Sequence, residues 1–570
     1  MRLKRGSRKV WLPRSPDPEP SMRQTPNSVA ATVLGGAIFT ALIALPVLAA
    51  PKQAAPKSPA RQESAQRWFE EGAQTARDGA NLRPSPFKAK NVILFVGDGM
   101  GISTISAARI REGQLKGGSG EEHSLSFERL PYVSLSKTYS VDGQTPDSAP
   151  TMTAMVTGIK TNQGVLSVTQ KAKYGDCASA RGQGVVTMLE LSEALGLATG
   201  IVSTARITHA TPAATYSHTP NRDWESDAEL PAEAKANGCK DIARQLVEFP
   251  YGDGLEVALG GGRGYFLPNT VSDPEDAGAA GRRKDGRNLP QEWAARAASP
   301  YVWNKAQFDA VDPRRTRHLL GLFERSHMEY EQDRPNDSGK EPSLADMTSK
   351  AIDVLEANSR KGYFLMVEGG RVDHAHHAGN ASRALTDTIA LSDAVRKALE
   401  KTSERDTLII VTADHSHTFT VAGYPDRGND ILGKVVTNGR LALDKNGKPY
   451  TTLGYVNGPG YRGPNARPDL TAIDTTHQDY LQEATVPLSD ETHAAEDVAI
   501  YARGPGAHSF QGVVEQNTIF HVMAQSQRNT SIFLCTLLGQ CGNGRGRSAI
   551  AAPLMEEDLR AGMARQSAKL

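Results

Sequence analysis

Three short, mostly apolar runs in this chain each stop at side chains that bind metals. Val92–Val96 ends in Gly97, Asp98 and Gly99. Tyr363–Val367 ends in Glu368, with Arg371, Asp373, His374, His376 and His377 close behind. Thr407–Val411 leads to Asp414, His415 and His417. An apolar run of about five residues bounded by glycine or charge reads as a strand buried on both faces, and such strands belong to parallel sheets covered by helices. Helical periodicity lies between them, at Ile102–Arg111, at Met347, Ala351, Val354 and Leu355, and at Leu385, Ile389 and Val395. Shorter strands fit 199–203, 256–259 and the run through Tyr501. The alternation predicts an α/β fold, a three-layer sandwich around a large, mainly parallel central sheet. Open sheets of this kind bind ligands beyond the carboxyl ends of their strands. Asp98, Glu368 and Asp414 all fall there. Asp373 and His377, four apart, would share one face of a helical turn and one ion.

A hydroxyl and an arginine accompany this set. In the stretch 145–158, Asp147 or Ser148 can cap a helix, Pro150 suits its first turn and Gly158 can stop it. A serine there faces unpaired N–H groups and the positive end of the helix dipole, a setting that binds phosphate and stabilises an alkoxide. Taken alone, Ser148 is a plain cap. Beside a metal that lowers its hydroxyl pKa, it becomes a nucleophile. Arg222, in the polar run Tyr216–Asp223, offers a fork for phosphate oxygens.

Charge and cysteine usage narrow the setting. The first 49 residues carry seven Lys/Arg and two Asp/Glu; without them 58 basic side chains face 62 acidic ones, a net of about −4. No aromatic-interleaved basic patch is present, so a nucleic-acid-binding module is not expected. Arg2, Lys4, Arg5, Arg8 and Lys9 precede 22 uncharged residues, Val29–Ala50, with a small-residue cleavage pattern at Val47-Leu48-Ala49. Residues 1–49 therefore read as a signal peptide, with an uncleaved membrane anchor as the alternative. Export would place the protein in a periplasm or outside the cell. Four cysteines, an even number in an exported chain, favour two disulfides. Pairing Cys177 with Cys239 and Cys535 with Cys541 is the natural choice among three connectivities, with a zinc site the weaker alternative. Residues 50–87 read as a linker and a first helix, 88–525 as the catalytic domain, and 526–570 as a tail. Polar, glycine-rich 271–300 reads as a surface insertion, and 421–485 as a surface subdomain that breaks the strand–helix alternation.

The motifs VGDGMG (96–101), PDSAPTMTAMVTGIKTN (146–162), THATPAATYSHTPNRDW (208–224), VEGGRVDHAHH (367–377), VTADHSHTF (411–419) and ETHAAEDVAIYARGP (491–505) together resemble the alkaline phosphatases, most closely the animal-type members. The resemblance spans about Asn91 to Gln525. It implies hydrolysis of small phosphate monoesters, with a broad substrate range and an alkaline optimum, through a phosphoserine on Ser148. It implies one zinc held by Asp373, His377 and His493, a second by Asp98, Asp414 and His415, and a magnesium by Asp98, Thr211 and Glu368. Arg222 would clamp phosphate, with His209 and His374 beside it. A candidate calcium site would use Glu275, the Phe323 carbonyl, Glu324 and Glu341, the last standing where the family usually has Asp. The resemblance also implies the two disulfides named above and a homodimer; 421–485 and the tail beyond Gln525 match the family poorly, so 421–485 is read only as a crown-like surface insertion. Two rivals remain. One is a sulfatase or phosphodiesterase on the same sheet, but the sulfatase pattern needs arginine where Met152 stands; the other, a purely structural metal protein, would not need both Ser148 and Arg222.

Overall fold

The computed structural model describes residues 64–463, 467–537, 553–557 and 559. Each apolar run becomes a strand. The central sheet has ten: β1 Asn91–Gly97, β2 Tyr132–Lys137, β3 Ala198–Arg206, β4 Val257–Gly261, β5 Tyr301–Val302, β6 Leu319–Leu322, β7 Tyr363–Gly369, β8 Thr407–Ala413, β9 Val498–Arg503 and β10 Val513–Glu515. Across the sheet they lie in the order β10-β2-β9-β8-β1-β7-β3-β4-β6-β5. Only β9 runs against its neighbours, pairing antiparallel with β2 and β8.

Alternate side chains of the central strands enter two separate cores. Val92, Leu94, Val96, Phe364, Met366, Leu408 and Ile410 face one. Ile93, Phe95, Leu365, Val367, Ile409 and Val411 face the other. The second face is covered by the helices Ile102–Leu115, Leu344–Asn358 and Ala381–Lys401; the first by Ser148–Thr157, Met188–Ala194, Ile242–Val247 and Thr518–Ser526. Each fully buried Val, Leu, Ile or Phe contributes about 1.5–3 kcal/mol, so β8, β1 and β7 form a stiff platform. Their register pairs Gly97 with both Ala413 and Gly369. Asp98 and Asp414 thus leave the sheet side by side, with Glu368 in the adjacent strand end.

Helix ends follow local chemistry. Ser343 and Asp346 form a reciprocal capping box at Leu344–Asn358, and the Asn380 side chain caps Ala381–Lys401. The first helix forms at Ala65–Asn81, capped by Ser64, with no buried residue.

Residues 271–300 depart from the surface insertion expected of them. Leu289 and Trp293 are fully buried in the first core, and Arg283 is buried against Asp241. Glycine and acidic content masked a short helix, Leu289–Ala294, which buries only Leu289, Pro290 and Trp293. Within 421–485, Leu453–Gly458 pairs with Phe419–Val421 and Ala484–Pro487, and Ile431, Leu432, Leu453 and Tyr455 join the second core. A disulfide joins Cys177 to Cys239, with Cα atoms 6.1 Å apart. Residues 1–49, the Cys535 side chain and Cys541 lie outside the described residues. Among the described residues no helix is long and apolar enough to cross a membrane.

Candidate active site

The site is built where β1, β7 and β8 end. Asp98 follows β1, and Glu368 is the penultimate residue of β7. Asp414 follows β8 and accepts from the backbone N–H groups of Gly99 and His415, both at 2.9 Å. His415 Nε2 lies 3.3 Å from Asp98 Oδ1 and 3.3 Å from Asp414 Oδ2. All three side chains are fully buried. Burial, with Asp414, Asp373 and Glu368 nearby, pushes the Asp98 carboxyl well above its usual range. Burial also raises Glu368, to about 7, against the pull of its hydrogen bond from Ser203. Carboxylates so close together in a dry site call for a cation.

The second cluster is carried by the helix Arg371–His377 and a two-residue ribbon in which His493 pairs with His417. Asp373 Oδ1 lies 3.3 Å from His377 Nε2, 3.2 Å from His493 Nε2 and 2.8 Å from His417 Nε2. Burial alone would raise Asp373, but the three imidazoles hold it well below the carboxylate range. The ligand atoms of Asp373, His415, His417 and His493 all fall within 4.8 Å of one another, as do those of Asp98, Asp414 and His415.

A third set is marked by missing partners. Asp98 Oδ2, Thr211 Oγ1 and Glu368 Oε1 are buried without a hydrogen-bond partner among the described residues. Both Asp98 and Thr211 reach Glu368 closely enough to oppose the rise of its pKa. An all-oxygen set of this kind suits magnesium.

Ser148 sits among these clusters and is 2% exposed. Asp147, not Ser148, caps the helix Ser148–Thr157, accepting from the Ala149 N–H at 2.7 Å. The helix closes at Gly158, whose φ of 80° a side chain would oppose. Freed from capping, Ser148 Oγ lies 3.3 Å from His415 Nε2 and 3.4 Å from Asp98 Oδ1. Arg222 places Nη1 3.3 Å from Asp147 Oδ1 and donates from Nη2 to His209 Nε2 at 2.9 Å. His209 and His374 pack edge to face, 5.5 Å between ring centroids. Burial, then nearby arginines, holds both well below the ordinary 6.5, so they are neutral.

The acidic residues expected to bind calcium also come together. Burial and mutual repulsion raise Glu324 to about 9 and Glu341 to about 10. Glu341 Oε2 is buried without a partner among the described residues. Glu275 is already engaged by Arg263 at 2.9 Å, and the Phe323 carbonyl accepts from Arg263 at 3.0 Å.

The sequence named some participants without placing them. His376 is buried, with its two ring nitrogens 3.0 Å from Thr104 Oγ1 and 2.8 Å from Tyr455 Oη; it ties the site helix to the 421–485 region. His417 and Glu491 stand behind Asp373. His327, whose ring lies 4.0 Å from that of His374, gave no sequence signal at all.

A buried hydroxyl at a helix amino terminus, flanked by clustered carboxylates, imidazoles and an arginine on a three-layer α/β sheet, defines a metal-dependent phosphate-ester hydrolase. A family model described as alkaline phosphatase matches residues 89–528. A tissue-nonspecific alkaline phosphatase isozyme from Gallus gallus is 46% identical over 474 residues, covering 81% of this chain and 89% of the relative. An alkaline phosphatase from Gadus morhua is 44% identical, covering 81% of this chain and 97% of its own. Among solved structures, the Thermus thermophilus alkaline phosphatase superposes with a TM-score of 0.55 at 23% identity, over 85% of this chain and 97% of that one. That of the Antarctic bacterium TAB5 gives 0.53 at 24% identity, over 78% and 99%. The chain belongs to the alkaline phosphatase family. It is a metal-dependent hydrolase of phosphate monoesters.

Proposed function

We propose that Ser148 is the nucleophile of this phosphomonoesterase. The carrying observation is its Oγ, released from capping and set 3.3 Å from His415 Nε2 and 3.4 Å from Asp98 Oδ1. Asp373, His377 and His493 would hold one zinc, and Asp98, Asp414 and His415 a second. Asp98, Thr211 and Glu368 would hold magnesium, which their three unpartnered oxygens favour. When bound, such ions lower the pKa of adjacent hydroxyl groups and offset charge on the entering and leaving oxygens.

Ser148 Oγ, having given its proton to solvent, attacks phosphorus in line; the ester P–O bond breaks and the leaving oxygen takes a proton from solvent as the alcohol departs. Water, losing a proton to solvent, then attacks the phosphoserine; the Oγ–P bond breaks, Oγ regains a proton, and phosphate leaves. Arg222 and the N–H groups of the helix amino terminus offset charge on the non-bridging oxygens. Neutral His209 and His374 border the phosphate without drawing its protons. Met152 is fully buried in the core, so the position a sulfatase gives to arginine is closed to substrate, which supports phosphate esters.

Ser148→Ala should cut p-nitrophenyl phosphate turnover by at least about 10³-fold while leaving zinc bound. Turnover near the parent level would refute the assignment. A peripheral calcium at Glu275, Glu324 and Glu341 is supported by the raised acids there, and metal analysis of purified protein reads it. Export and a homodimer complete the proposal, read by amino-terminal sequencing and by light scattering.

A further inference from the structure

Glu491 precedes the zinc-binding candidate His493 by two residues and is completely buried. Every polar atom it offers is used, and each contact leads toward one cluster. Its carboxylate Oε1 accepts from Thr418 N and Thr418 Oγ1, both at 2.6 Å. Oε2 lies 2.5 Å from His417 Nδ1. On the backbone, its N–H donates to the His377 carbonyl at 2.9 Å, and its own carbonyl lies 2.5 Å from His377 Nδ1.

His417 passes the first of these contacts on. Its other nitrogen, Nε2, is 2.8 Å from Asp373 Oδ1. Both ring nitrogens therefore face carboxylate oxygens, which only accept, so both must donate. A ring facing one carboxylate alone is free to choose its tautomer and can turn a lone pair on Asp373. With Glu491 behind it, that choice is closed. A carboxylate or carbonyl behind a ligating side chain commonly fixes its orientation and basicity. Here one residue supplies both, the carbonyl for His377 and the carboxylate, through His417, for Asp373.

We propose that Glu491 is a positioning residue for the metal cluster of Asp373, His377 and His493. Its side chain locks His417 as a donor to Asp373, and its backbone fixes the ring of His377. The inference rests on reading those three residues as zinc ligands.

The test is chelator competition on zinc-loaded protein, together with the visible spectrum of the cobalt-substituted form. Glu491→Gln keeps the size and an acceptor but loses the charge. One of the two zinc equivalents should bind about 10–100-fold more weakly, with a shifted cobalt spectrum, and Glu491→Asp should recover part of the loss. Because the side chain acts through His417, Glu491→Gln in a His417→Gln background should weaken zinc no further. Unchanged zinc affinity and cobalt spectrum in Glu491→Gln, or a fully additive loss in the double variant, would overturn the role of Glu491. If Glu491→Gln fails to fold, Thr418→Val serves, since it removes one donor from Oε1; the same but smaller loss is expected, and no loss overturns the proposal. Asp373→Ala separates the two layers. If it retains both tight zinc equivalents, the metal assignment itself falls, and the role of Glu491 with it.

Discussion

Among the contacts that tie residues 553–557 and 559 to the body is a histidine, His218, whose charge should make stability depend on alkaline pH. His218 Nδ1 lies 2.7 Å from the Ser167 carbonyl, and Nε2 lies 2.7 Å from Glu190 Oε1 and 3.8 Å from Glu556 Oε1. Beside Glu556, Leu554 and Leu559 are buried in the first core, and Val186 N donates to the Leu554 carbonyl at 2.8 Å. Burial alone would lower the imidazole's pKa, but Glu190, then Glu556, outweigh it and raise the value from 6.5 to about 10. A pKa raised on folding stabilises fully below the unfolded value and ceases to do so once pH passes the folded value. The window is therefore pH 6.5 to about 10. At about 1.4 kcal/mol per pH unit the full effect is on the order of 5 kcal/mol; with Glu556 28% exposed, solvent screening should leave about 2–3 kcal/mol. His218→Gln removes the charge and keeps a polar group. Melting temperatures of metal-loaded parent and variant, compared from about pH 6 to above pH 10, should show the parent's advantage greatest at the acid end and nearly gone at the alkaline end. A gap that stays constant or widens with pH would refute the reasoning.

Two further outcomes test the site. Gly99 has φ of +65°, and a Cβ there would collide with the His417 ring; Gly99→Ala should cost about 2–4 kcal/mol from left-handed strain and overpacking and should loosen zinc, as read by thermal melts and metal retention. Arg222→Lys replaces a fork with a point charge, so kcat/KM should fall about 10–100-fold, with inorganic phosphate inhibiting correspondingly less, because about 1.5–3 kcal/mol of charged hydrogen bonding is lost.

The proposed ligands were legible where physics forces a local pattern. Asp98, Glu368 and Asp414 announce themselves because a strand buried on both faces must be apolar until it ends, so the first charged residue marks the sheet's edge. Asp373 and His377 are legible from helical spacing. Ser148 was only half legible: sequence allowed either it or Asp147 to cap, and the accepted N–H of Ala149 goes to Asp147. Glu491 was beyond reach, since its carboxylate acts on His417, 74 residues away; nothing in either neighbourhood encodes that meeting. Trp293 was missed because its helix buries so few side chains that glycine and charge dominate the window.

The strand order has a consequence for how the protein is made. β1, near the start of the described chain, lies between β7 and β8, so its first neighbours are synthesised hundreds of residues later; the hydrogen bond between Gly99 and Asp414 spans 315 positions and that between His493 and Pro146 spans 347. A growing chain on the ribosome therefore cannot assemble the set of Asp98, Thr211 and Glu368 until β7 is made, the set of Asp98, Asp414 and His415 until β8 has followed, nor the one containing His493 until nearly all of the catalytic domain has emerged. Contacts of such range are entropically costly to close and form slowly. Capture of the zinc proposed at Asp373, His377 and His493 would then be among the last events of maturation, and a chain cut short before His493 would carry Asp373 and His377 without the third member of their set.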